Sequence, residues 1–121
     1  MSSMRMFCAL LMTCAFALSG APPAGAQNDR GWWVVLGSVS APDNNVSAEA
    51  DAAIRKIEAA ARRCGLAPFQ DFSSKFGGFS RGYRVVVSGA YTTRAAADAD
   101  AAKAVRCIDG VYVRQGAYAG D

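Results

Sequence analysis

Apolar residues recur along this chain with two different spacings. From residue 47 to 64 the positions Ala50, Ile54, Ile57, Ala61 and Cys64 follow one another at steps of four and three, which puts them on one face of a helix. Gly65 then supplies a left-handed stop. Thr92 or Thr93 caps a second helix running to about Arg106, with the narrower stripe Ala97, Ala101, Ala104 and Ile108. Short β-branched and aromatic runs predict four strands, over residues 32–36, 68–73, 83–88 and 111–115, the third carrying Val85-Val86-Val87 and the last following the Asp109-Gly110 turn. A loop with Pro42 and Asn44-Asn45 leads into the first helix. The Gly- and Ser-rich connection over 74–82, with Phe76 and Phe79, reads as a mobile hairpin loop. The order β-α-β-β-α-β predicts an α+β sandwich of the ferredoxin-like kind, with both helices on one face of a four-stranded, antiparallel-dominated sheet.

Residues 1–26 follow a different pattern: Arg5, an apolar run over 6–18, Pro22-Pro23, and the small-residue sequence Ala24-Gly25-Ala26. This is the pattern of a cleavable secretory signal peptide. The run is shorter than the roughly 20 residues a bilayer span needs, so no stable membrane insertion is expected after cleavage. Thr13 precedes Cys14 where lipid-attachment sites prefer a small residue, which disfavours a lipoprotein. The expected product is one domain, residues 27–121, secreted across the inner membrane into the periplasm.

Loss of Cys8 and Cys14 with the signal leaves Cys64 and Cys107. An even pair in an oxidising compartment predicts a disulfide, with two buried free thiols as the alternative. Topology gives the same expectation: if the helices follow strands that run parallel, both end at the same edge of the sheet.

Charge narrows the function. The chain has 13 Lys and Arg against 10 Asp and Glu, a formal net charge of +3, and no His. No long run of like charge marks a nucleic-acid or membrane arm. Without His, catalytic triads built on it and His-containing metal sites are excluded. Asp98 and Asp100 lie two apart on a predicted helix and do not share a face, as a glycosidase pair must. Arg81-Gly82-Tyr83 resembles the opening of an RNA-recognition strand motif, but Arg84 and Val85 stand where a small residue and a stacking aromatic belong. The expectation is a binding module rather than an enzyme, with no cofactor, no metal and no nucleic-acid partner.

The runs Trp33-Val34-Val35-Leu36-Gly37-Ser38, Tyr83-Arg84-Val85-Val86-Val87, Gly89-Ala90-Tyr91, Arg94-Ala95-Ala96-Ala97 and Tyr112-Val113-Arg114 together resemble a SPOR (sporulation-related repeat) domain. The resemblance covers nearly all of residues 27–121. It implies a non-catalytic bacterial envelope module that binds peptidoglycan glycan strands stripped of their stem peptides, as an accessory of the envelope or of cell division, with envelope or division proteins as possible partners. Two positions depart from the family: Val35 stands where a Gln is common, and Gly89-Ala90-Tyr91 replaces a Gly-Pro-Phe turn. The third strand is also one residue longer before that turn, which allows its register to slip. A protein-protein interaction module on the same fold, without glycan binding, is the rival reading.

Strand alternation supplies candidate site residues. With Val34 and Leu36 inward, Trp33 and Val35 face the helix-free side, while Val111 and Val113 point inward and Tyr112 and Arg114 outward. In the third strand Tyr83, Val85 and Val87 are expected inward and Arg84, Val86 and Ser88 outward, because an Arg is rarely buried unpaired. The candidate glycan-binding residues are therefore Trp33, Val35, Arg84, Val86, Ser88, Tyr112 and Arg114. For Trp33 and Tyr112 ordinary core or edge packing is an equal alternative, and Trp32 is assigned to the core. On the first helix, Asp51 with Arg55 and Glu58 with Arg62 have the spacing of surface ion pairs.

Overall fold

The structure, a computed structural model, describes residues 29–120. The signal-peptide assignment to 1–26 and the cysteines within it lie outside the described residues. Five strands and two helices follow in the order β1 (Arg30–Ser40), α1 (Ala48–Arg63), β2 (Phe69–Phe72), β3 (Phe76–Gly77), β4 (Tyr83–Tyr91), α2 (Arg94–Ala104) and β5 (Tyr112–Tyr118). The fold is α+β, and the strands lie in the order β2-β4-β1-β5-β3 with every neighbouring pair antiparallel. The sheet has one strand more than expected. The addition is β3, drawn from the segment read as a mobile loop and paired to β5 through Phe76 opposite Tyr118.

Both helices begin where a side chain can satisfy their first free N–H groups. Ser47 accepts from the Ala50 N–H at 3.0 Å, and Thr93 accepts from the Ala96 N–H at 3.1 Å. Glu49 and Asp51 in the first turn of α1 and Arg62 and Arg63 in its last complement the helix dipole, and Gly65 follows with φ +85°. One core forms between helices and sheet, from Val34, Leu36 and Val86 on the strands with Ile54, Ala61, Leu66, Ala97 and Ala104. The Ala stripe of α2 lets that helix sit close. α1 is as close to β1 at Gly37, where a Cβ would lie 2.7 Å from Ile57 Cδ1.

Two irregularities in the β1–β4 pairing decide which side chains face the helices. Trp32 lies opposite Tyr91 and Val34 opposite Ser88, so β4 carries one extra residue there, as the sequence allowed. Val35 lies opposite Val87 and Gly37 opposite Val86, so β1 carries an extra residue in turn. Alternation along β1 is thereby reset, and Ser38, opposite Val85, shares the face of Val35.

The facing of β4 is the reverse of the expectation. Val86 packs into the helix-side core, whereas Val85 and Val87 pack on the helix-free side. Arg84 and Ser88 therefore turn toward the helices with Val86. The premise that failed was that Arg84 would be unpaired. Its Nη1 donates to Asp51 Oδ1 at 2.6 Å, and its Nε and Nη2 donate to Gln70 Oε1 at 3.3 and 3.2 Å. Asp51 thus bonds across to the sheet instead of along α1 to Arg55. Further along β4, the Ser88 hydroxyl lies 2.8 Å from Tyr91 Oη, which donates to Asp100 Oδ2 on α2 at 2.6 Å.

Cys64 and Cys107 are bridged, with their Cα atoms 6.2 Å apart. The topological argument for this pair does not hold, because β1 and β4 run antiparallel. The cysteines meet for a local reason. Cys64 caps α1, and Cys107 sits three residues beyond α2 in a turn whose N–H bonds to Ala104 O at 2.9 Å. Ala61 and Ala104, both fully buried, belong to the one core cluster against which Cys64 packs.

Two predictions follow from these contacts. The bridge closes a sequence separation of 43 residues, for which loss of unfolded-chain entropy corresponds to at most about 4 kcal/mol. Reduction should lower the melting temperature, and thiol titration of the denatured, unreduced protein should find no free cysteine at 64 or 107. Burial, and then the bond to Asp100, push the Tyr91 phenol from 10.0 up to about 12. Burial alone would raise Asp100, but the hydrogen bonds from Tyr91 and Lys103 outweigh it and hold that carboxyl below 3.8. The raised Tyr91 value contributes stability that is whole below pH 10 and is lost as pH rises toward 12; the lowered Asp100 value contributes stability that is present above 3.8 and is lost on acidification. In denaturant titrations the stability gap between the parent and Tyr91→Phe should therefore hold near neutral pH and narrow above pH 10. A gap independent of pH would contradict the assignment.

Candidate functional site

The helix-free face of the sheet carries Trp33 and Val35, as strand alternation predicts, but it is largely covered. Residues 73–82 return across it and lay Phe76 and Phe79 on the sheet. Trp33 is 0 % exposed, with Phe76 edge-on at 5.2 Å between ring centroids, Phe69 at 5.9 Å and Tyr118 at 6.1 Å. Its indole N–H is satisfied by Gly116 O at 3.0 Å. Phe79 stacks on Phe76 at 4.7 Å and lies over Gly116, where a Cβ would stand 2.8 Å from Phe79 Cε1. This aromatic plug is a second core.

Hydrogen bonds tie the plug down along its length. The Tyr83 N–H donates to Ser73 Oγ at 3.1 Å, the Ala119 N–H to Lys75 O at 2.8 Å, and Arg114 Nε to Gly78 O at 2.8 Å. Phe76 and Phe79 are three apart among glycines and serines, a spacing that fits neither a strand nor an amphipathic helix of useful length. Two phenylalanines in so polar a stretch were the available sign that it packs.

The candidate residues divide accordingly. Trp33, Val35 and Val86 are fully buried, the first two beneath the plug and the third beneath the helices. Arg84, 7 % exposed, and Ser88 are buried on the helix side among their bonding partners. Tyr112, 47 % exposed, and Arg114 stand on the helix-free face. Together with Ser38, Phe79, Ser80, Tyr83 and Val85 they line a groove of about 310 Å³. Tyr83 is the residue that sequence reasoning misplaced: it is 41 % exposed, and once Arg84 faces the helices Tyr83 must join the side of Tyr112. Trp32, assigned to the core, packs partly buried on the helix side, with the Arg94 guanidinium 5.4 Å over its ring.

The groove offers two tyrosine rings, two serine hydroxyls and one guanidinium. Such a surface stacks on apolar faces and donates several hydrogen bonds. Among the described residues no three His, Cys, Asp or Glu side chains are grouped to hold a metal ion, and no helix is long and apolar enough to cross a membrane.

Trp33→Ala should remove the centre of the plug and cost about 3 to 5 kcal/mol. Tyr112→Ala, at the rim, should change stability by no more than about 0.5 kcal/mol. Chemical denaturation of the two variants separates a packing residue from a groove residue, and a Trp33→Ala protein as stable as its parent would show the face to be uncovered. No family model, curated protein or solved structure matches this chain.

Proposed function

We propose that this chain is a SPOR-like, non-catalytic module that binds peptidoglycan glycan strands in the groove between Tyr83, Tyr112 and Arg114. The observation that carries the reading is that two half-exposed tyrosines and an arginine line one groove together with two serine hydroxyls. Aromatic rings pack on the apolar faces of sugars, while the arginine and the hydroxyls serve sugar oxygens. We also read the fold as ferredoxin-like, from the antiparallel order β2-β4-β1-β5 with both helices on one side, β3 being added beside β5. Export to the periplasm under the signal at 1–26, with an envelope or cell-division role, belongs to the same proposal. A bridged Cys64–Cys107 pair suits that oxidising compartment.

A protein-protein interaction surface is the second reading. It is favoured by the burial of Trp33, Val35, Arg84, Val86 and Ser88, which leaves a smaller sugar-facing surface than alternation alone implies.

Pull-down on purified peptidoglycan sacculi, before and after amidase removal of stem peptides, distinguishes the two. Retention should rise after stripping and fall in Tyr83→Ala and Tyr112→Ala, each by about 1 to 3 kcal/mol of binding free energy. A parent protein that binds neither preparation would give the function to the interaction surface. Variants that bind like the parent would place the sugar elsewhere.

A further inference from the structure

β5 has an unpaired margin. β3 reaches only Ala117 and Tyr118, so among the described residues no strand lies beside Tyr112 to Gly116 on that side. Which of these residues can bond outward follows from the end of the strand. The Tyr118 N–H donates to Asp29 O at 2.6 Å, toward β1, and the Ala119 N–H donates to Lys75 O at 2.8 Å, away from it. The β1–β5 register then runs without a break from Ala117 to Tyr112. Backbone direction alternates along such a ladder, so Gly116, Arg114 and Tyr112 turn their N–H and C=O groups to β1, while Gln115 and Val113 turn theirs to the open margin.

We propose that this margin pairs antiparallel with the same margin of a second copy of the chain, centred on Val113. The side chains suit a copy of themselves in one register. About Val113, the two Val113 residues exchange both N–H···O bonds, and on the helix-free face each Tyr112 lies opposite Arg114 of the other copy, a ring against a cation. About Arg114, two guanidiniums would oppose each other. About Gln115, Val113 would need Ala117 of the second copy, which Gly77 already pairs. About Tyr112, Arg114 would run past the Asp109-Gly110 turn. Gly78 stands against Gln115 O, where a Cβ would lie 3.2 Å away, so the overlap stays short and the dimer weak. The pairing covers the half-exposed Tyr112. Its two-fold axis stands perpendicular to the sheet, so both grooves face the same side, where one polymer can span them.

Sedimentation equilibrium of the purified protein, with no ligand added, tests the pairing independently of the glycan reading. The dimer fraction should rise between about 1 μM and 1 mM, and Tyr112→Ala should weaken association about tenfold, through loss of two cross-strand pairs. In hydrogen exchange the Tyr112 and Arg114 amides should be protected at every concentration, and the Val113 and Gln115 amides only where dimer is present. A protein still monomeric at about 1 mM overturns the proposal. So does a dimer whose Val113 and Gln115 amides exchange freely, which would put the contact elsewhere, or one that Tyr112→Ala leaves as tight as the parent.

Discussion

Arg84 and Asp51 meet between the sheet and α1 at 2.6 Å, and the side chains of β4 from Tyr83 to Ser88, up to the extra residue before Tyr91, share the facing that this contact requires. Strand residues alternate, so fixing one of them fixes its neighbours. With Arg84 turned to the helix, Val86 and Ser88 must follow it, and Tyr83, Val85 and Val87 must go to the other side. Withdrawing a guanidinium from water costs free energy that Asp51 and Gln70 only partly return. The structural effect is nonetheless large, because sliding β4 by one residue would strand a charge against the aromatic plug.

The sheet is consequently packed on both faces, and by different means. On one side small residues dominate: Ala61, Ala97 and Ala104 let the helices approach, and Gly37 leaves space for Ile57. On the other side a few large rings, Trp33, Phe69, Phe76, Phe79 and Tyr118, do the work of a second layer, and Gly116 makes room for Phe79. Neither layer alone is thick. A domain of this size reaches stability by closing both and by bridging the two helix ends.

The parts of this arrangement set by local chemistry were legible in the sequence. The extent of α1 follows from Ser47, the apolar spacing and Gly65, and the stripe of α2 from its alanines; Tyr112 and Arg114 follow from alternation beside Val111 and Val113. The cysteine pairing was legible too, though from compartment chemistry and not from strand direction. What escaped depends on residues far apart in the chain. Nothing near Arg84 shows that Asp51, 33 residues earlier, waits on α1, and nothing near Phe76 shows that Trp33 lies beneath it. The groove was therefore read as a broad strip through Trp33 and Val35, whereas its walls are Tyr83, Phe79 and Tyr112.

The order of strand lengths across the sheet has its own consequence. The two longest strands, β1 with 11 residues and β4 with 9, lie inside, while the outermost are β2 with 4 and β3 with 2. Unpaired backbone along a sheet margin is where a foreign strand can add; β2 and β3 themselves offer little ladder to extend, whereas β3 pairs only with Ala117 and Tyr118 and leaves the rest of β5 without a strand on that side. Growth of the sheet beyond β2 or β3 is thereby discouraged, and the stretch of β5 from Tyr112 to Gly116 is the longer margin beside the groove.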